Sequence, residues 1–139
     1  MKTPRLLALL FALLVIVPSL GAQADTLTLT FVGDTSIGDA ITLRDRPSSY
    51  HNVVKEQGMD WPFSLVKDIM LSDDLTIANL EGSLTTRSWR RQVRFPLVID
   101  PSHTALLTAG GIDAVNTANN HALDFYQEGY QDTLLNLEA

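Results

Sequence analysis

Polar and apolar residues alternate along residues 26–32 (Thr-Leu-Thr-Leu-Thr-Phe-Val), the period-two pattern of a strand with one wetter face. The next seven residues, Gly33-Asp34-Thr35-Ser36-Ile37-Gly38-Asp39, are rich in turn formers, so the strand is expected to stop before Asp34. Residues 40–58 keep no period. Arg46-Pro47-Ser48-Ser49 signals a turn there, and the stretch reads as an irregular surface excursion. Residues 61–71 predict a helix, with Pro62 in the first turn and Phe63, Val66, Ile69 and Met70 on one face. Ser72-Asp73-Asp74 breaks it. The run Leu75-Thr76-Ile77-Ala78-Asn79-Leu80 predicts a buried strand ending in Glu81-Gly82. Four arginines (Arg87, Arg90, Arg91, Arg94) surround Trp89 in what reads as a hairpin-like insertion, and residues 93–99 look extended. Asp100-Pro101 pairs an N-cap with proline at the first helical position, and the helix is expected to run to Ala109 and stop at Gly110-Gly111. A strand over residues 112–117 and a helix over residues 126–137 complete the pattern.

Strands alternating with helices imply an α/β fold with parallel strands. In such a sheet the loops after the strands lie along one edge, where open α/β sheets place their ligands. Asp34, Glu81 and the cluster Asn119-Asn120-His121-Ala122-Leu123-Asp124 all follow strands, so this topology brings them together.

The first 24 residues fall outside the fold. A short basic head (Lys2, Arg5), an apolar run over residues 6–17 and the small-residue site Ala22-Gln23-Ala24 describe a secretory signal peptide. The apolar run is shorter than the roughly 20 residues a spanning helix needs. Cleavage near Ala24 would leave one domain, residues 25–139, and a periplasmic or extracellular protein. The chain has no cysteine, which excludes a lipid-anchored lipoprotein and a disulfide framework. Its net charge of −6 becomes −8 once Lys2 and Arg5 are removed, a balance that argues against nucleic-acid partners and anionic membranes.

Among the candidate residues, Asp34 is either a ligand or a turn-capping aspartate. Glu81 ends an apolar strand, where a glutamate binds a cation, pairs with an arginine of the 87–94 cluster, or points to solvent. His121 and Asp124 are spaced to form a hydrogen-bonded pair that orients the imidazole for metal binding or proton transfer, the alternative being a structural histidine that caps the next helix. Asn119 is read as a turn former, and His51 and His103 as carrying no chemistry. Asp34, Glu81, Asn120 and His121 make a mixed oxygen and nitrogen donor set, suited to Mn²⁺, Mg²⁺, Zn²⁺ or iron. The arginines offer either a clamp for phosphate or carboxylate or a solvated face.

The segments Phe31-Val32-Gly33-Asp34, Ala78-Asn79-Leu80-Glu81-Gly82, Gly111-Ile112-Asp113 leading to Ala118-Asn119-Asn120-His121-Ala122-Leu123-Asp124, and Gly129-Tyr130-Gln131-Asp132-Thr133-Leu134 resemble those of the CapA-type (PgsA/CapA) poly-γ-glutamate capsule-synthesis proteins. That family is similar to calcineurin-like metallophosphatases, whose fold is a two-sheet sandwich flanked by helices. The resemblance implies Asp34, Glu81, Asn120 and His121 as metal ligands. It implies a metal-dependent phosphoesterase- or amidase-like hydrolase, or else a non-catalytic scaffold or an inactive fragment. The partners it implies are an anionic polymer or the membrane subunits of its synthase. The metallophosphatase pattern has further histidines downstream, so the chain is expected to hold the N-terminal half of such a sandwich and half of its ligand set, with a sheet face left uncovered.

Overall fold

The computed structural model describes residues 26–139; the signal-peptide expectation for residues 1–24 lies outside them. The chain is α/β, with one parallel and one mixed sheet, each of three strands, flanked by helices.

The parallel sheet has the order β1-β3-β6. Strand β1 (Leu29–Thr35) begins in the expected alternating run but does not stop at Val32. It pairs with β3 (Leu75–Leu80) from Leu29↔Leu75 to Phe31↔Ile77, and resumes at Asp34↔Asn79. Three steps along β1 thus match two along β3, a bulge at Val32-Gly33 that carries Asp34 into the ladder instead of a turn. Strand β6 (Ala114–Asn116), shorter than expected, pairs with β3 on its other side and sets Asn116 opposite Asn79. In β3 the expected buried strand is found over its full length, with Thr76, Ala78 and Leu80 turned into the core.

The second sheet has the order β2-β5-β4. Strand β2 (Asp39–Ala40) runs antiparallel to β5 (Leu97–Ile99), while β4 (Ser83–Leu84) runs parallel to it. This corrects the hairpin-like reading of the arginine segment. A hairpin joins antiparallel strands, whereas the segment between β4 and β5 must cross over to start β5 in the same direction as β4. Gly38 packs so closely on the β5 backbone that a β-carbon there would overlap the Val98 carbonyl.

Helix α1 (Tyr50–Gln57) lies inside the stretch expected to be irregular. Ser49, read as part of a turn, is its N-cap: the buried hydroxyl accepts from the Asn52 amide at 3.3 Å. The residues that favour turns also favour N-caps, and α1 buries fully only Val54, so the helical period is faint. The helix expected over residues 61–71 shrinks to α2 (Lys67–Met70) after a series of turns. Met70 is buried and Phe63 packs on the core, but Val66 and Ile69 are exposed.

Asp100 caps as expected, its Oδ1 accepting from the Ser102 amide at 3.0 Å. The first turn, Pro101–His103, is a 3-10 turn that passes into α3 (Thr104–Ala109). The chain leaves α3 through Gly111 at φ +77°, a left-handed conformation that glycine adopts without strain. Helix α4 (Tyr126–Glu138) closes the chain and lies against β4, where the Leu84 amide donates to Thr133 Oγ1 at 3.0 Å. Leu80, Leu84, Ile99, Leu106 and Ile37 form the centre of the core between the elements. Leu29 and Phe31 in β1, and Leu27 just before it, stay exposed, in line with the expectation of an uncovered apolar sheet face. Among the described residues, no helix is long and apolar enough to cross a membrane.

Candidate functional site

The three parallel strands end along one edge, and Asn79, near the end of the central strand, holds that edge together. The ladder sets it between Asp34 and Asn116. Its Nδ2 donates to Asp34 Oδ1 at 2.8 Å and to Glu81 Oε2 at 2.9 Å. Its Oδ1 accepts from Asn116 Nδ2 at 2.9 Å and Asn119 Nδ2 at 3.0 Å. Both donors and both lone pairs of the amide are therefore used, and one neutral group holds two carboxylates.

The turn after β6 is fastened by Asn119 rather than Asn120. Asn119 Nδ2 also donates to the Leu80 carbonyl at 2.8 Å, and its Oδ1 accepts from the His121 amide at 3.0 Å. These bonds set the His121 ring between two carboxylates. Nδ1 lies 2.7 Å from Asp124 Oδ2, and Nε2 lies 3.4 Å from Glu81 Oε1. Asp124 is buried and its Oδ2 also accepts from the Leu97 amide at 2.8 Å, while its carbonyl accepts from the Arg91 amide at 2.7 Å. A carboxylate only accepts, so Nδ1 carries the proton. Nε2 of the neutral ring then turns a lone pair toward another carboxylate oxygen, an arrangement that a proton or a cation between them would relieve.

Asp34, Glu81, His121 and Asp124 are thus linked along one edge through Asn79 and His121. Asn120 is not drawn in: it is exposed, and its side chain makes no hydrogen bond among the described residues. Among those residues, too, no three His, Cys, Asp or Glu side chains close on one point as a metal cage would. Asn79 and Asn119 tie the edge together, and the sequence reading did not single out either as a site residue. An asparagine inside an otherwise apolar strand was the available signal for Asn79, because strands disfavour it unless its amide has partners.

The arginine alternative for Glu81 is corrected by the same contacts, since Glu81 faces Asn79 and His121. Arg87 pairs instead with Asp132, Nε to Oδ2 at 2.7 Å and Nη2 to Oδ1 at 3.0 Å. Bonds from Arg87 and then Thr85 hold the Asp132 carboxyl below the usual carboxylate range, against a smaller opposing effect of burial. A carboxyl that titrates lower when folded stabilises the fold above its unfolded value, near pH 4, and loses that contribution as pH falls through the folded value. Arg87 is nearly half exposed, so Arg87→Ala is expected to lower Tm only slightly at neutral pH. In thermal melts the deficit should shrink as pH falls below the usual carboxylate range and the carboxyl takes up its proton; a deficit unchanged in strong acid would assign the loss to packing.

Residues 28–139 match the family model described as "Bacterial capsule synthesis protein PGA_cap", a stretch that holds every residue of the edge cluster. The chain is also 28% identical over 112 residues to the PGA biosynthesis protein CapA of Bacillus subtilis (strain 168), across 79% of this chain and 27% of that protein. It therefore spans little more than a quarter of that relative's length. With most of its length matched by the family model, the chain belongs to the bacterial capsule synthesis family PGA_cap.

Proposed function

We propose that this chain acts in the synthesis of an exported poly-γ-glutamate-type capsule polymer through a divalent-cation site at Asp34, Glu81 and His121, with His121 and Asp124 as its acid–base pair. The observation that carries this reading is the His121 ring, held at Nδ1 by a buried carboxylate and facing Glu81 with Nε2. A carboxylate that orients an imidazole in this way fixes its tautomer and the direction in which Nε2 points. The oxygen and nitrogen donors suit Mn²⁺, Mg²⁺, Zn²⁺ or iron. Asn120, exposed beside His121, is the fourth candidate ligand.

A bound divalent ion supplies Lewis-acid polarisation of a phosphoryl or carbonyl oxygen and a more acidic water, the chemistry of a hydrolase. The chain's own residues prepare the site for it. Asn79 restrains the Asp34 and Glu81 carboxylates, Asp124 holds a proton on Nδ1, and Nε2 is left able to receive one. Export rests on the signal-like features of residues 1–24, and an anionic polymer or its synthase's membrane subunits are the partners in this reading.

The test is to measure bound divalent metal and polymer output together, restoring full-length protein to cells that lack it. Asp34→Ala and His121→Ala are each expected to lower both by tenfold or more, on the order of the loss when metal-supporting groups are removed. Unchanged metal content together with unchanged polymer output would sink the proposal. A scaffold reading draws on Arg91 and Arg94, both exposed in the crossover between β4 and β5. It predicts the reverse pattern, with Arg91→Ala/Arg94→Ala abolishing output while the metal-site variants stay active.

A further inference from the structure

Four of the chain's ten basic residues, Arg87, Arg90, Arg91 and Arg94, fall in one eight-residue stretch of the crossover between β4 and β5, with no acidic residue among them. The chain as a whole carries a net charge of −6. Arg87 is committed to Asp132. Arg91 and Arg94 are exposed, and Arg90 is half-buried with Nη1 donating to the Ser88 carbonyl at 3.2 Å. Among the described residues, none of these three has a carboxylate within ion-pair distance. The stretch is thus a local positive field on an acidic protein, open to an anion from outside.

This stretch is fixed beside the sheet-edge site. Asp124, whose carboxylate holds His121, anchors it at two points: the Asp124 carbonyl accepts from the Arg91 amide at 2.7 Å, and Oδ2 accepts from the Leu97 amide at 2.8 Å. Between those anchors the Arg94 guanidinium lies 5.0 Å from the centre of the Phe95 ring, a cation–π distance that restrains the arginine. Upstream, Trp89 stacks on Tyr126 with ring centroids 4.3 Å apart. Tyr126 has φ +59°, the one left-handed non-glycine residue among those described, and such strain persists only where its surroundings hold it. The His121 imidazole and both supports of the arginine stretch therefore sit on one turn, residues 121–126. An anionic chain brought to Asp34, Glu81 and Asp124 is repelled unless cations beside them offset the charge.

We propose that this crossover is the polymer-recognition element of the edge site, with Arg91 and Arg94 taking carboxylates of a poly-γ-glutamate-type chain and laying it past His121. The inference rests on the polymer reading given above and places the polymer on named residues; it needs no cation at Asp34 and Glu81. A guanidinium offers paired N–H groups that meet a carboxylate with two parallel bonds, which an ammonium cannot do. Two of them on one anchored loop can engage two carboxylates of the same chain, and the second contact is intramolecular once the first is made. Phosphate oxygens fit the same fork, but membership of a capsule synthesis family favours the carboxylate chain.

The test is binding of a fluorescently labelled γ-linked glutamate oligomer to the full-length protein, read by anisotropy in chelator so that no divalent ion contributes. Arg91→Ala/Arg94→Ala is expected to weaken binding by about tenfold or more, the loss of two charge-assisted contacts. Both side chains are exposed and alanine keeps the Arg91 amide, so the near-UV circular dichroism of the Trp89–Tyr126 stack should not change. Arg91→Lys/Arg94→Lys keeps the charge without the fork and should recover only part of the affinity. Glu81→Gln should bind the oligomer at least as tightly as the parent, so failure of the cation site and failure of the recognition element give different results. No binding by the parent, or equal affinity in the parent and the double-alanine variant, would overturn the proposal. So would full recovery by lysine, or a loss in Glu81→Gln as large as in the double-alanine variant. Inorganic polyphosphate that displaces the labelled oligomer at lower concentration than unlabelled oligomer would overturn the carboxylate assignment.

Discussion

Replacing Asn79 with leucine is expected to cost about 2–3 kcal/mol of stability, summing several hydrogen bonds of which two go to carboxylates. Leucine is close in volume and favours a buried strand, so the loss would come from the polar partners. Asn79 spends four hydrogen bonds on residues from four places: Asp34, Glu81, Asn116 and Asn119. Without it, Glu81 keeps only the His121 contact, and Asn119 keeps its bonds to Leu80 and His121 but loses its tie across the sheet. Asn79→Asp separates two explanations of that loss. A third carboxylate would repel the other two in chelator, and Mn²⁺ or Zn²⁺ should recover much of the stability if the edge binds a cation. Urea melts with and without added metal measure both. If Asn79→Asp is equally unstable in chelator and in excess metal, the edge is a hydrogen-bonded joint only.

The alternation of strand and helix was legible in the sequence because β1 begins in an alternating run, β3 is an apolar run, and α3 carries both a cap and a glycine stop. From that alternation came the convergence of Asp34, Glu81 and His121 on one edge. The His121–Asp124 pair was legible too, since a spacing of three residues permits it in a turn as well as in a helix. Other features depended on contacts that no local pattern encodes. The bulge that moves Asp34 into β1 is fixed by pairing with β3. The parallel course of β5 beside β4 is a tertiary choice, and the turn-rich residues 85–96 suit either a hairpin or a crossover. Asn119 and Asn120 are chemically identical, and only the turn geometry decides which amide reaches Asn79. The burial of His103 and its bond to Ile37 bring together residues 66 positions apart, a contact no local pattern encodes.

Asp124→Ala is expected to cost about 2–4 kcal/mol, the range for unpairing buried donors. The alanine leaves the Leu97 amide and His121 Nδ1–H without an acceptor, and both bonds now end on the single oxygen Oδ2 of a buried side chain. The Leu97 bond starts β5, so the damage should spread from the site into the second sheet. Asp124→Asn separates the fold from the chemistry. Its amide oxygen, placed where Oδ2 stands, can still accept from both the Leu97 amide and His121 Nδ1–H, so the ring keeps its orientation and its tautomer but loses the buried negative charge behind it. Asp124→Asn is therefore expected to keep most of the stability, losing about 1 kcal/mol for the weaker neutral bonds. It should nevertheless lower metal binding and polymer output by about tenfold or more, the loss usual when the carboxylate behind a metal-binding histidine is removed. Nitrogen NMR of the His121 ring reads the tautomer directly, and the proton is expected on Nδ1 in both the parent and Asp124→Asn. Full output from a folded Asp124→Asn with that tautomer would show that Asp124 only anchors His121 and Leu97, with no part in proton transfer.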